Sequence, residues 1–136
     1  MSQTKRILYV EDNPQNMRLV RKLLKVNGYD TIEAISGESG VEAAVREIPD
    51  LILMDINLPD IDGMEATRRI KAHANLAKIP VIALTAAAMR GDRERILTAG
   101  CDDYLQKPID TVQMIETVKR HLARLEAMDV FLTAAD

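Results

Sequence analysis

Apolar residues fall into two alternating patterns along the chain. Short, nearly continuous runs occur at Ile7-Leu8-Tyr9-Val10, Leu51-Ile52-Leu53-Met54 and Val81-Ile82-Ala83-Leu84. Runs so short and unbroken predict parallel strands covered on both faces, where no position alternates toward water. Thr31 to Ala34 and Asp103 to Gln106 are two weaker strand candidates. Between the runs, apolar positions recur at helical spacing. Met17, Val20, Leu23 and Leu24 share one face, as do Val41, Ala44, Val45 and Ile48, and later Val112, Ile115, Val118, Leu122 and Leu125.

The boundaries carry matching chemistry. Asn13-Pro14 sets a capping side chain before a proline at the first helical position. Gly28 can close that helix in the left-handed conformation, and Gly100 stops a later one after Ile96 and Leu97. Asp110, with Gln113 three residues on, resembles a capping box. The pattern predicts an α/β fold of five strands alternating with five helices. Right-handed crossovers then make the sheet parallel and put helices on both faces. One domain over residues 1–125 is expected, with 126–136 as a short C-terminal tail holding the only Phe, Phe131.

Composition narrows the function. With 18 Lys+Arg against 21 Asp+Glu, the net charge of -3 carries no electrostatic footprint for nucleic acid or anionic lipid. One cysteine, Cys101, excludes an intrachain disulfide and reads as a small buried hydrophobe. No apolar run approaches the roughly 18 residues of a membrane span, and no signal core opens the chain. A cytoplasmic protein is expected. Trp is absent and Tyr numbers 3, so stacking platforms for bases or flavins are scarce.

In an open parallel sheet, ligands bind beyond the carboxyl ends of the strands. Glu11 and Asp12 follow the first strand, Asp55 the third, Thr85 the fourth, and Lys107-Pro108 the fifth. If the first and third strands are neighbours, three carboxylates converge. Such a group repels itself unless a cation is present, and Mg²⁺ suits it: a hard ion that takes carboxylate, water and phosphate oxygens. A hydroxyl and an ammonium nearby are what a transferring phosphoryl group needs around its oxygens. Each residue alone has a bland explanation as a turn former, cap or solvated charge. Their joint occurrence at successive strand ends does not.

Over about residues 4–125 the chain resembles the receiver domain of two-component response regulators. The resemblance rests on Ile7 to Asn13, Asp50 to Pro59 with Asp62-Gly63, Ile79 to Ala86, and Gly100 to Pro108. Asn13, Asn16 and the stretch Ala86 to Asp92 are similar to stand-alone regulators of the DivK type and to receivers of hybrid kinases. It implies a flavodoxin-like (βα)5 fold of strand order 2-1-3-4-5. Asp55 is then the phosphoacceptor. Mg²⁺ is held by Asp12, Asp55 and the backbone carbonyl of Asn57, with Glu11 helping through water. Thr85 donates its hydroxyl and Ala86 its backbone N–H to the phosphoryl group, and Lys107 pairs with Asp55. The Lys107-Pro108 peptide is expected to be cis. Tyr104 falls at the switch aromatic position, coupled to Thr85. Glu11 replaces the Asp often found first in the acidic pair, a variation the family contains.

The implied function is a single-domain response regulator. It takes a phosphoryl group from a histidine kinase or histidine phosphotransfer protein. It signals through its helix 4–strand 5–helix 5 surface to a downstream protein not identifiable from sequence, or relays the phosphoryl group. It assists its own phosphorylation and dephosphorylation and is otherwise no enzyme. A phosphorylation-independent interaction module and a fragment of a hybrid kinase are alternatives. A phosphatase of the haloacid dehalogenase type needs a second Asp where Asn57 stands, and a flavin binder needs aromatics and a phosphate loop after the first strand. His73 and His121 are expected at the surface, Arg90 and Asp92 to Arg95 on a solvated helix face, and Met17, Met54, Met64 and Met89 as filler. Asn57 and Ala87 are expected to flank the site and tune hydrolysis.

Overall fold

Every residue from Leu51 to Asp55 and from Val81 to Thr85 is buried, as strands between two helical layers require. The computed structural model describes residues 4–86 and 90–134. In order it contains β1 (Arg6–Val10), α1 (Pro14–Val26), β2 (Asp30–Ala34), α2 (Gly37–Glu47) and β3 (Leu51–Asp55). Then come α3 (Gly63–Lys71), a 3-10 turn (Ala74–Leu76), β4 (Val81–Thr85), α4 (Arg90–Thr98), β5 (Asp103–Gln106) and α5 (Thr111–Ala134). The strands form one parallel sheet in the order 2-1-3-4-5, the flavodoxin-like (βα)5 arrangement. Among the described residues, no helix is long and apolar enough to cross a membrane.

Alternation along the strands divides the core in two. Leu8, Val10, Ile52, Met54 and Ala83 face α2, α3 and α4, where Ala44, Met64, Ile70 and Ile96 meet them. Ile7, Tyr9, Leu53, Ile82 and Leu84 face α1 and α5, packing on Met17, Val20, Leu24, Met114 and Val118. Met17, Met54 and Met64 are core residues, while Met89 and Ala87 lie outside the described residues.

Register positions the sheet edge. Val10 pairs with Met54, so Glu11 comes level with Asp55; Asp55 pairs with Leu84, and Thr85 with Gln106. Each strand therefore delivers its last residues to the same edge.

The caps hold the turns that follow. The Asn13 side chain accepts from the N–H groups of Gln15 (2.8 Å) and Asn16 (3.1 Å), a cap of about 1 kcal/mol. Gly28 has φ +88° and donates its N–H to Lys25 O at 3.0 Å. Asp110 accepts from Gln113 N–H at 3.0 Å at the start of α5. Asp60, in the loop after β3, accepts from the N–H groups of Gly37 (2.7 Å) and Glu38 (2.8 Å) at the head of α2. The Glu38 and Gly37 amides hold its carboxyl below the usual range.

Three residues expected on buried helical faces, Val45, Ile48 and Val112, are exposed. The buried face of α2 is Gly37, Gly40, Ala43 and Ala44; Val45 and Ile48 are exposed. Small residues let α2 lie close on β1, since a Cβ on Gly40 would press on the Val10 side chain. Ile48 leaves the helix as its left-handed cap at φ +47°. Val112, assigned to the buried stripe of the last helix, is exposed, and Met114 takes the core position instead. Residues 126–134 continue α5 without a break.

Candidate acidic metal and phosphoacceptor site

Glu11, Asp12 and Asp55 each bring a carboxylate oxygen within 4.8 Å of the others. Glu11 and Asp55 are each 1% exposed, whereas Asp12 opens to solvent. The donor set is all hard oxygen, with one side open to water, and this fits Mg²⁺. Asn57 sits on the exposed loop beside them and donates its N–H to Asp55 Oδ1 at 3.1 Å.

Lys107 closes the cluster. Its Nζ lies 2.9 Å from Asp55 Oδ2 and 3.9 Å from Glu11 Oε1. Burying a carboxylate demands donors, and Glu11 has several. Its Oε1 accepts from Tyr9 OH (3.0 Å) and Asn16 Nδ2 (3.2 Å), and its Oε2 from Asn13 N–H (3.2 Å). Burial, then the charge and hydrogen bond of Glu11, then the charge of Asp55, push the Tyr9 hydroxyl far above the ordinary phenol range. It stays protonated and donates.

Gly63 sets how closely α3 approaches. Its N–H donates to Ile56 O at 2.9 Å, and a Cβ there would overlap the Asp55 carbonyl oxygen. On the other side, the Thr85 carbonyl accepts the Lys107 N–H at 2.7 Å, tying the ends of β4 and β5. Thr85 is buried and Ala86 exposed. The Lys107-Pro108 bond is cis. A cavity of about 210 Å³ lies beside Thr85, lined also by Asn57, Asp62, Asp92 and Arg95.

Tyr104 is half-buried against the α2–α3–α4 side of the core, and the Arg93 guanidinium stands 5.7 Å above its ring. Arg93 is exposed, as expected of a solvated helix face, and makes this ring contact as well. The Tyr104 N–H donates to Asp103 Oδ1 at 2.8 Å.

His121, expected at the surface, is buried. Its Nε2 lies 2.9 Å from Asp103 Oδ2, which also accepts from Arg120 at 2.6 Å. Pairing with a strand-edge carboxylate stabilises a buried polar position on α5, which apolar spacing alone does not mark. His73 is exposed. Cys101 is buried, with its thiol raised by burial and its Sγ 3.7 Å from Thr67 Oγ1.

Tyr9, Asn16 and the Asn13 N–H contribute to the site beyond the residues expected from the sequence. Tyr9 stands two residues before Glu11 on a strand, hence on the same face, and that spacing is a usable signal.

A five-stranded parallel sheet of order 2-1-3-4-5, with an acidic cluster and a lysine at its carboxyl edge, defines a class. Residues 7–119 match the response regulator receiver domain, and the chain belongs to that family. It is 49% identical over 119 residues to the polar-differentiation response regulator DivK of Brucella ovis, a match spanning 88% of this chain and 97% of that protein. The DivK of Brucella anthropi is 48% identical over 118 residues, spanning 87% and 96%. Among solved structures, the receiver domain of a sensor histidine kinase from Pseudomonas aeruginosa PAO1 is 41% identical with a TM-score of 0.83. That match covers 89% of this chain and 99% of the other, which holds a magnesium ion in its active-site cleft. Family membership makes this chain a phosphoacceptor signalling module rather than a turnover enzyme.

Proposed function

We propose that Asp55 accepts a phosphoryl group from a phosphohistidine on a histidine kinase or histidine phosphotransfer protein. The observation that carries this reading is the buried Asp55 carboxylate, paired with Lys107 at 2.9 Å inside a three-carboxylate cluster. One carboxylate oxygen attacks phosphorus. The phosphorus–nitrogen bond breaks, and the imidazole leaves with the electron pair of that bond. Asp12, Asp55, the Asn57 carbonyl and, through water, Glu11 would hold Mg²⁺, which would supply positive charge against the repulsion between carboxylate and phosphoryl anions. Lys107 then turns its ammonium to the phosphoryl oxygens, and the Thr85 hydroxyl and Ala86 N–H donate to them.

The acyl phosphate brings up to about two negative charges to the sheet edge. Thr85 moves toward that charge, and Tyr104 turns into the space behind it. The face of α4, β5 and α5 repacks and changes its affinity for a downstream protein in the cytoplasm. The 41% identity to the receiver of a sensor kinase supports relay to a second phosphotransfer protein as another use of the same chemistry.

Incubation with acetyl phosphate and Mg²⁺, read by intact mass, tests this. One phosphoryl group adds to the native chain and none to Asp55→Asn; stoichiometric labelling of that variant overturns the assignment. Tyr104→Ala is expected to label normally and to bind its target more weakly.

A further inference from the structure

We infer that Tyr9 is a positioning residue of the metal site and acts through Glu11. The inference rests on the metal-binding part of the function proposed above.

Tyr9 is fully buried, with its ring on the face that packs against α1 and α5. A phenol there needs a hydrogen-bond partner, because an unpaired hydroxyl in an apolar setting is costly. Its partner is Glu11 Oε1 at 3.0 Å. Phenylalanine would fill the same core volume, so the hydroxyl itself has no packing role.

The two oxygens of Glu11 are used unequally. Oε1 faces three donors: Tyr9 OH (3.0 Å), Asn16 Nδ2 (3.2 Å) and Lys107 Nζ (3.9 Å). Oε2 takes the Asn13 N–H at 3.2 Å. Oε1 is thus committed to the protein, and Oε2 keeps acceptor capacity for a metal-bound water. Of the three groups on Oε1, Lys107 is shared with Asp55, and Asn16 lies on a partly exposed face of α1. Tyr9 is the donor fixed in the sheet, one residue from Val10 and two from Glu11 itself. It sets which way the carboxylate faces. Partners that orient metal ligands commonly contribute about tenfold or more to affinity.

Isothermal titration of the metal-free full chain with MgCl₂ tests this, using Tyr9→Phe, Glu11→Gln and the double variant. Tyr9→Phe is expected to weaken Mg²⁺ binding about tenfold. In the Glu11→Gln background the same substitution is expected to change affinity less than twofold, which a general packing effect would not reproduce. Unchanged or tighter binding by Tyr9→Phe overturns the inference, as does an equal loss in both backgrounds. Failure of the native chain to bind Mg²⁺ overturns the metal site and the inference together, so the two failures differ in their readout. Should Tyr9→Phe not fold, near-UV tyrosine absorption carries the test, since the chain has no Trp and 3 Tyr. Saturating Mg²⁺ is expected to perturb tyrosine absorption in the native chain and not in Glu11→Gln; the same perturbation in both, or in neither, overturns it.

Discussion

Lys107 Nζ lies 2.9 Å from Asp55 Oδ2 and 3.9 Å from Glu11 Oε1, so one ammonium faces two buried carboxylates. Asp12 adds a third anion within 4.8 Å. The sheet edge therefore holds more negative charge than its lysine offsets. A cation bound there would offset that excess.

Relieving that repulsion should stabilise the metal-free chain. Asp12→Asn is expected to raise the melting midpoint without Mg²⁺ by a few degrees, about what 1 kcal/mol yields at this size. With Mg²⁺ the order reverses, because the native chain gains RT ln(1 + [L]/Kd) and the variant does not. Calorimetric scans with and without MgCl₂ check both signs.

Gly63 is expected to tolerate no side chain. An alanine Cβ would overlap the Asp55 carbonyl oxygen, which is backbone and cannot swing aside. Overpacking of this kind costs about 1–3 kcal/mol. Gly63→Ala should lower the denaturant midpoint and, by pushing α3 from the end of β3, weaken Mg²⁺ binding. A variant with native stability and affinity would contradict the close approach.

Asp103 should contribute to the acid limb of stability. Burial raises its carboxyl, but His121, the Tyr104 N–H and Arg120 together outweigh burial and hold it below the usual range. A carboxylate depressed in the folded state stabilises above its unfolded value near 3.9, and the contribution is lost as pH falls through the folded value. Asp103→Asn is expected to lose about 1 kcal/mol at pH 7, because solvent screens the pair with the exposed Arg120. Its stability should also fall less steeply than the native chain's below about pH 4. Urea titrations from pH 7 to pH 2.5 measure both.

The strand ends were readable because parallel strands are continuous apolar runs whose first polar residue marks the carboxyl edge. Glu11, Asp55 and Thr85 stand at such points, whereas Lys107 follows the polar Gln106 of the weaker last strand; register sets Glu11 level with Asp55 and Thr85 level with Gln106, all at one edge. Helical faces were less readable. Apolar spacing assigned Val45 and Ile48 to the core, yet α2 lies so close to β1 that glycine and alanine make the contact. The burial of His121 escapes apolar spacing for a related reason: its partner Asp103 is 18 positions away, and only the fold brings the two together. Tyr9 lay within reach of sequence reasoning through its two-residue offset from Glu11, but a tyrosine in an apolar run reads first as a hydrophobe.

The Asp103 carboxylate grips Tyr104 of its own strand with one oxygen, and His121 and Arg120 of α5 with the other. The short strand β5 runs from there to the residue before Lys107. A protein bound to α5 would thus be connected through Asp103 to the strand that precedes Lys107. Linkage makes such a connection reciprocal: whatever factor phosphorylation contributes to partner affinity, the bound partner returns to the phosphorylation equilibrium. A partner bound on that face would then shift the phosphorylation equilibrium as well as respond to it.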